Sequence, residues 1–165
     1  MNALWSYFWP VFALSLLVGT VAGLIAWRSR GGPWLLLAAG AMAMLGAAAL
    51  WHGPLGGADR FARTVETVAN RTLAHYEMPQ VQARLQRGPL TRQLLLTGAA
   101  DDFQRTEIVR IMRDLEGVSE ASWSRRGGLP LIVEGFVLGL IAYLLGCLLA
   151  YGATLSRRNN PEEKW

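Results

Sequence analysis

"LEGVSEASWSRRGGLPLIVEGF" (residues 115–136) changes character at its midpoint. Up to Gly128 it carries the charges and turn formers of a small folded domain. From Leu129 it enters an apolar run that extends to Leu155 and is interrupted only by Glu134. A helix rises about 1.5 Å per residue, so about 20 residues cross a hydrocarbon layer of about 30 Å. The run is long enough to span a bilayer, which makes the quoted stretch the join between a polar domain and a membrane helix.

Two more runs of the same kind lie upstream, residues 4–27 and 33–51, neither with a formal charge. Buried helices of a soluble bundle would show polar faces, which these lack. Nothing basic precedes the first run, as a signal peptide would require, and the run continues into Trp27 and Arg28, so it reads as a retained anchor. The expected fold class is a membrane α-helical protein with three transmembrane helices (4–27, 33–51 and 129–155). A small α+β domain fills residues 59–124, and residues 156–165 form a tail.

Lys and Arg in short loops stay cytoplasmic. Arg28 and Arg30 stand between the first two spans, and Arg157, Arg158 and Lys164 follow the third. The same rule therefore puts the N-terminus and the central domain outside and the C-terminus inside. The stretch 52–128 holds eleven arginines but also nine acids, and a loop of that length translocates as a domain regardless of charge. Arg outnumbers Lys fifteen to one in a chain rich in Ala and Gly. That bias suggests a GC-rich bacterium, and the expected location is the inner membrane with the domain in the periplasm.

Within the domain, Phe61, Val65, Val68, Ala69, Leu73 and Tyr76 fall on one helical stripe. "VQARLQ" (81–86) alternates with Val81, Ala83 and Leu85 on one face, "RGPLT" supplies a turn, and "RQLLLTG" (92–98) reads as the second strand of a hairpin. Asp101 and Gln104 have capping-box spacing before a helix reaching Leu115, with Ile108, Ile111, Met112 and Leu115 inward. "VSEASW" is a third strand, which makes the order α-β-β-α-β. Gly98 and Gly117 stand where a strand breaks into a turn and where a helix ends; both read as structural.

"LLLTGAADDFQRTEIVRIMRDLEGVSEASW" resembles the second half of a BON domain, with Thr97-Gly98, the helix after Asp102 and Gly117-Val118 at that family's landmarks. The resemblance covers residues about 60–123 and implies contact with phospholipid surfaces or with partner proteins. Many BON proteins carry two copies and are untethered, whereas this chain has one copy held on both sides.

No catalytic constellation is evident. His52 and His75 are far apart, Cys147 lies inside the third span, and the glycine-rich stretches lack a phosphate loop's Lys-Ser/Thr. The reading is therefore non-enzymatic, with no cofactor, no metal and no nucleic-acid partner. Trp123, Arg125, Arg126 and Glu134 are candidates for lipid or partner contact, with Glu134 expected to pair with Arg125 or Arg126 and Gly127-Gly128 expected to form a hinge. Small residues recur on all three spans: Ser15, Gly19 and Gly23; Ala39, Ala43 and Ala47; Gly135, Gly139, Ala142 and Gly146. They let helices approach closely in lipid, either one another or foreign subunits. These features suggest an accessory or scaffold subunit of a larger membrane complex, or a homo-oligomer. The alternative is a stand-alone phospholipid-binding sensor of envelope stress.

Overall fold

A computed structural model describes residues 3–29, 32–125 and 127–159. It contains five helices and three strands: α1 (Ala3–Arg28), α2 (Pro33–His52), α3 (Gly57–His75), β1 (Gln82–Leu85), β2 (Gln93–Thr97), α4 (Asp102–Arg113), β3 (Glu120–Ser122) and α5 (Leu131–Asn159). Three helices, α1, α2 and α5, are long and apolar enough to cross a membrane. The chain is a multi-pass membrane protein. It divides into two compact units, one comprising the chain up to Tyr7 with His52–Glu134, the other Phe8–Trp51 with the chain from Gly135 onward.

In the second unit α1 and α5 pack through small residues. A Cβ on Gly19 would land on the backbone carbonyl of Tyr143, and one on Gly146 would land on the carbonyl of Leu16. A Cβ on Gly23 would stand 2.8 Å from the Ala150 methyl, and one on Gly139 would stand 3.1 Å from Ser15 Oγ. The backbones therefore meet where side chains are missing, and Ser15, Gly135, Ala142 and Ala150 are buried along the same faces. The Cys147 thiol lies 3.4 Å from the carbonyl of Gly19, its acceptor.

The alanine stripe of α2 is only partly covered within the chain. Ala39 and Ala43 are exposed and Ala47 is half-buried, whereas Met44 and Ala48 are buried. One position along a helix is a rotation of about 100°, and Tyr143 meets α2 on the buried side. Its hydroxyl donates to the Leu37 carbonyl at 2.6 Å. Its ring lies over Gly40, where a Cβ would come within 3.2 Å of Cε2. Ala22, Met44 and Tyr143 form a small core there.

In the first unit the strands lie in the order β1-β2-β3, with β1 antiparallel and β3 parallel to β2. A hairpin connection yields the first pairing and the α4 crossover the second. Val81, Ala83 and Leu85 are buried together with Leu94, Leu96 and Ala121. Against them α3 buries Phe61, Ala62, Val65, Ala69 and Leu73, while α4 buries Ile108 and Met112. Val68 and Tyr76, expected on the buried stripe, are exposed: the core stripe runs through Phe61, Val65, Ala69 and Leu73 with Ala62 beside it, Val68 falls beyond its edge, and Tyr76 caps the end of the helix.

Asp101 caps α4, with its side chain accepting from the Gln104 backbone N–H at 2.7 Å and Gln104 Oε1 accepting from the Asp101 N–H at 3.1 Å. The helix stops at Arg113, and Gly117 comes three residues past the cap at φ +95°, where any side chain would press on Val65. At the other end of the sheet α3 covers the outer edge of β1. Asn70 both donates to the Ala83 carbonyl (2.9 Å) and accepts from its N–H (3.0 Å), and Glu66 accepts from the Leu85 N–H (3.0 Å). These side chains occupy backbone groups that an open edge would offer to another strand.

Candidate functional site

Three membrane-helix ends are built into the same unit as the small domain: the first turn of α1, the last residue of α2 and the first turn of α5. The candidate site is the junction they make. Thr91, just before β2, forms an antiparallel bridge with Pro130, and the Leu131 N–H donates to the Leu90 carbonyl at 2.8 Å. This bridge keeps α5 from starting before Leu131, two residues later than the apolar run begins. Thr91 and Leu131 are both fully buried.

Arg92 follows immediately. Its Nη1 meets Glu134 Oε2 at 3.1 Å, its Nε donates to the Gly117 carbonyl at 3.3 Å, and its own carbonyl accepts from the Ser119 N–H at 2.8 Å. One arginine thus joins the start of β2, the turn before β3 and the first turn of α5. The acid also sits where a helix start favours negative charge.

Gln93 is 6% exposed, and its Nε2 donates to the Gly127 carbonyl (3.0 Å) and to Glu120 (3.3 Å). Its Oε1 has no hydrogen-bond partner among the described residues. Rotating the amide would set that oxygen against two acceptors, so the donors fix its orientation. A Cβ on Gly128 would lie 3.1 Å from the Gln93 amide carbon. Gly128 therefore packs against the start of β2, and the Gly127 carbonyl is bound there.

On α1, Tyr7 is 2% exposed and its hydroxyl is hydrogen bonded to His52 Nδ1 at 2.7 Å. The rings of Tyr7 and Phe61 lie 5.8 Å apart, which ties the first turn of α1 to the core of α3. His52 is therefore engaged at a helix end, and His75 is exposed beside Tyr76. Among the described residues no group of three or more His, Cys, Asp or Glu is placed to hold a metal ion.

Comparison with protein-family models, curated proteins and solved structures finds no match.

The sequence-derived contact candidates separate in the structure. Glu134 is in the junction, but its partner is Arg92 and not Arg125; Arg126 lies outside the described residues, as do Arg30 and Lys164. The reason is a competing cation: Thr91 bridges Pro130 at the start of α5, so the next residue, Arg92, is delivered to the first turn of that helix and takes Glu134. Trp123 is half-buried with the Arg105 guanidinium 5.2 Å from its ring centroid, and its Nε1–H donates to the Arg105 carbonyl at 3.3 Å. Arg125 is exposed. Gly98 (φ +131°) packs on the Gln80 carbonyl and, like Gly117, shapes the backbone.

Tyr7, Arg92 and Gln93 were not singled out from sequence. A weak signal existed for Arg92, an arginine at a strand start in a chain whose one in-span acid needs a partner. Tyr7 is concealed among the aromatic residues of the first span.

Proposed function

We propose that this chain is a non-enzymatic scaffold or accessory subunit of a membrane complex. Its three spans anchor a BON-like α+β domain on the extracytoplasmic face of a bacterial inner membrane, where the domain contacts partner protein or lipid. The observation that carries the reading is the junction: the domain's own compact unit includes the ends of all three membrane helices, joined by Arg92–Glu134, Thr91–Pro130 and Tyr7–His52.

Purification of the full-length chain in mild detergent, with mass spectrometry of co-eluting proteins, tests the proposal. Foreign chains at fixed stoichiometry support it. A chain that elutes alone with bound phospholipid would replace it with the lipid-sensor reading.

A further inference from the structure

Charge divides the domain. Residues 59–92 hold six arginines and three acids, a net +3; residues 93–124 hold three arginines and six acids, a net −3. The fold carries these halves to opposite edges of the sheet, since α3 lies with β1 and α4 with β3.

The basic edge has a defined shape. An open groove of about 510 Å³ is lined by Arg63, Glu66, Thr67, Asn70, Arg71 and Ala74. Glu66 is committed to Arg87 at 3.1 Å and to the Leu85 N–H, and Asn70 to Ala83. The groove's potential is therefore set by Arg63 and Arg71, both exposed and without an ion-pair partner among the described residues. At four-residue steps, Arg63, Thr67 and Arg71 form one ridge about 12 Å long.

The acidic counterpart is the turn after α4. Asp114 and Glu116 are exposed there and make no ion pair among the described residues, with Arg113 at the start of the turn, whereas Glu107 is occupied by Arg110 at 2.7 Å. Gly117 seats this turn against Phe61 and Val65, on one flank of α3, while Asn70 and Glu66 reach β1 from the other flank. Groove and acidic turn thus lie on opposite flanks of one helix.

Copies anchored in one membrane share an orientation, and a head-to-tail contact joins unlike flanks of neighbouring copies. Confinement to the bilayer also raises the effective concentration of one copy around another. We propose that the chain associates head to tail with itself, the Asp114–Glu116 turn of one copy seated in the Arg63/Arg71 groove of the next. Such a contact is heterologous, and repeating it builds rings or rows. This inference is independent of whether foreign subunits also bind.

The test uses the full-length chain in phosphatidylcholine vesicles, with energy transfer between donor- and acceptor-labelled copies. The wild type transfers energy, and added salt weakens the transfer. The R63E/R71E variant alone and the D114R/E116R variant alone each associate roughly tenfold more weakly, because attraction becomes like-charge repulsion. A mixture of the two recovers, since the reversed groove fits the reversed turn. R63K/R71K keeps its association, which separates charge from folding. The proposal is overturned if either reversed variant alone associates like the wild type, if the mixture fails to recover, or if the Lys variant is lost as well. It is also overturned if wild-type transfer needs added phosphatidylglycerol, which would make the groove a headgroup site. Co-purification of foreign chains tests the scaffold reading and changes none of these outcomes.

Discussion

The Arg92 guanidinium at the start of β2 meets the Glu134 carboxylate in the first turn of α5 at 3.1 Å, with each side chain about three-quarters buried. Both charges are therefore shielded enough to matter and wet enough to avoid a full desolvation penalty. A double-mutant cycle over Arg92→Ala and Glu134→Gln should return a coupling of about 1–2 kcal/mol, between that of a surface pair and that of a buried one. Chemical denaturation of the full-length chain would read it. Arg125→Ala, which removes an exposed charge, should leave stability within about 0.5 kcal/mol.

The glycines of the membrane helices separate into two kinds. Gly19→Ala would drive a methyl group into the Tyr143 carbonyl and push α1 from α5. The expected cost is about 1–3 kcal/mol, because backbone on a packed face cannot step aside. Gly46→Ala meets nothing within 4 Å and gains helix propensity of up to about 1 kcal/mol. Thermal unfolding in detergent should rank the two on opposite sides of the wild type.

Tyr143→Phe isolates one hydrogen bond. The lost donor to Leu37 is worth about 0.6 kcal/mol by the average for bonds between membrane helices, and up to about 1.7. The ring stays in place over Gly40, so a loss well above that range would mean that the hydroxyl holds α2 by more than this one bond. Disulfide trapping between cysteines placed on α2 and α5 gives an independent reading of how firmly α2 stays docked.

The elements that were legible in the sequence were those that local chemistry dictates. Charge-free runs of span length, strict alternation at Val81, Ala83 and Leu85, and the Asp101–Gln104 cap each need only neighbours in the chain. What was illegible depends on partners far away in sequence. Ala39 and Ala43 line an open groove beside α1 instead of closing on it, while Gly40, next to Ala39, meets Tyr143, about a hundred residues later. Glu134 could be flagged as an acid in want of a cation, but Arg125 is nearer in sequence and Arg92 is nearer in space. The Thr91–Pro130 bridge brings Arg92 to the start of α5, and no local spacing encodes that long-range contact.

Asn70 provides a prediction about the sheet edge. Asn70→Leu would leave the Ala83 N–H and carbonyl without their partner, at a cost of about 1–3 kcal/mol for the group left unpaired. It would also open β1 to another strand. Hydrogen exchange should then rise at Ala83 while Leu96, its neighbour inside the sheet, stays protected. Unchanged protection at Ala83 would show that Glu66 and the hairpin suffice to hold the edge.

The side of the membrane on which the domain folds is open to direct chemical test. The first turn of α1, the end of α2 and the start of α5 belong to one unit, so these three ends share a side with Arg71, while Ser29 and the end of α5 lie across the bilayer. Arg28 next to Ser29 favours the cytoplasm for that short loop, and the domain's mixed charges favour neither side. Arg71→Cys and Ser29→Cys, each on a Cys147→Ala background, place one thiol at each position. With an outer barrier opened but the inner membrane intact, an impermeant maleimide should modify position 71 readily and position 29 only after lysis. The reverse pattern would put the domain in the cytoplasm and remove the extracytoplasmic part of the proposed function. The Arg92–Glu134 junction and the head-to-tail contact would stand unchanged, because neither depends on which compartment surrounds the domain.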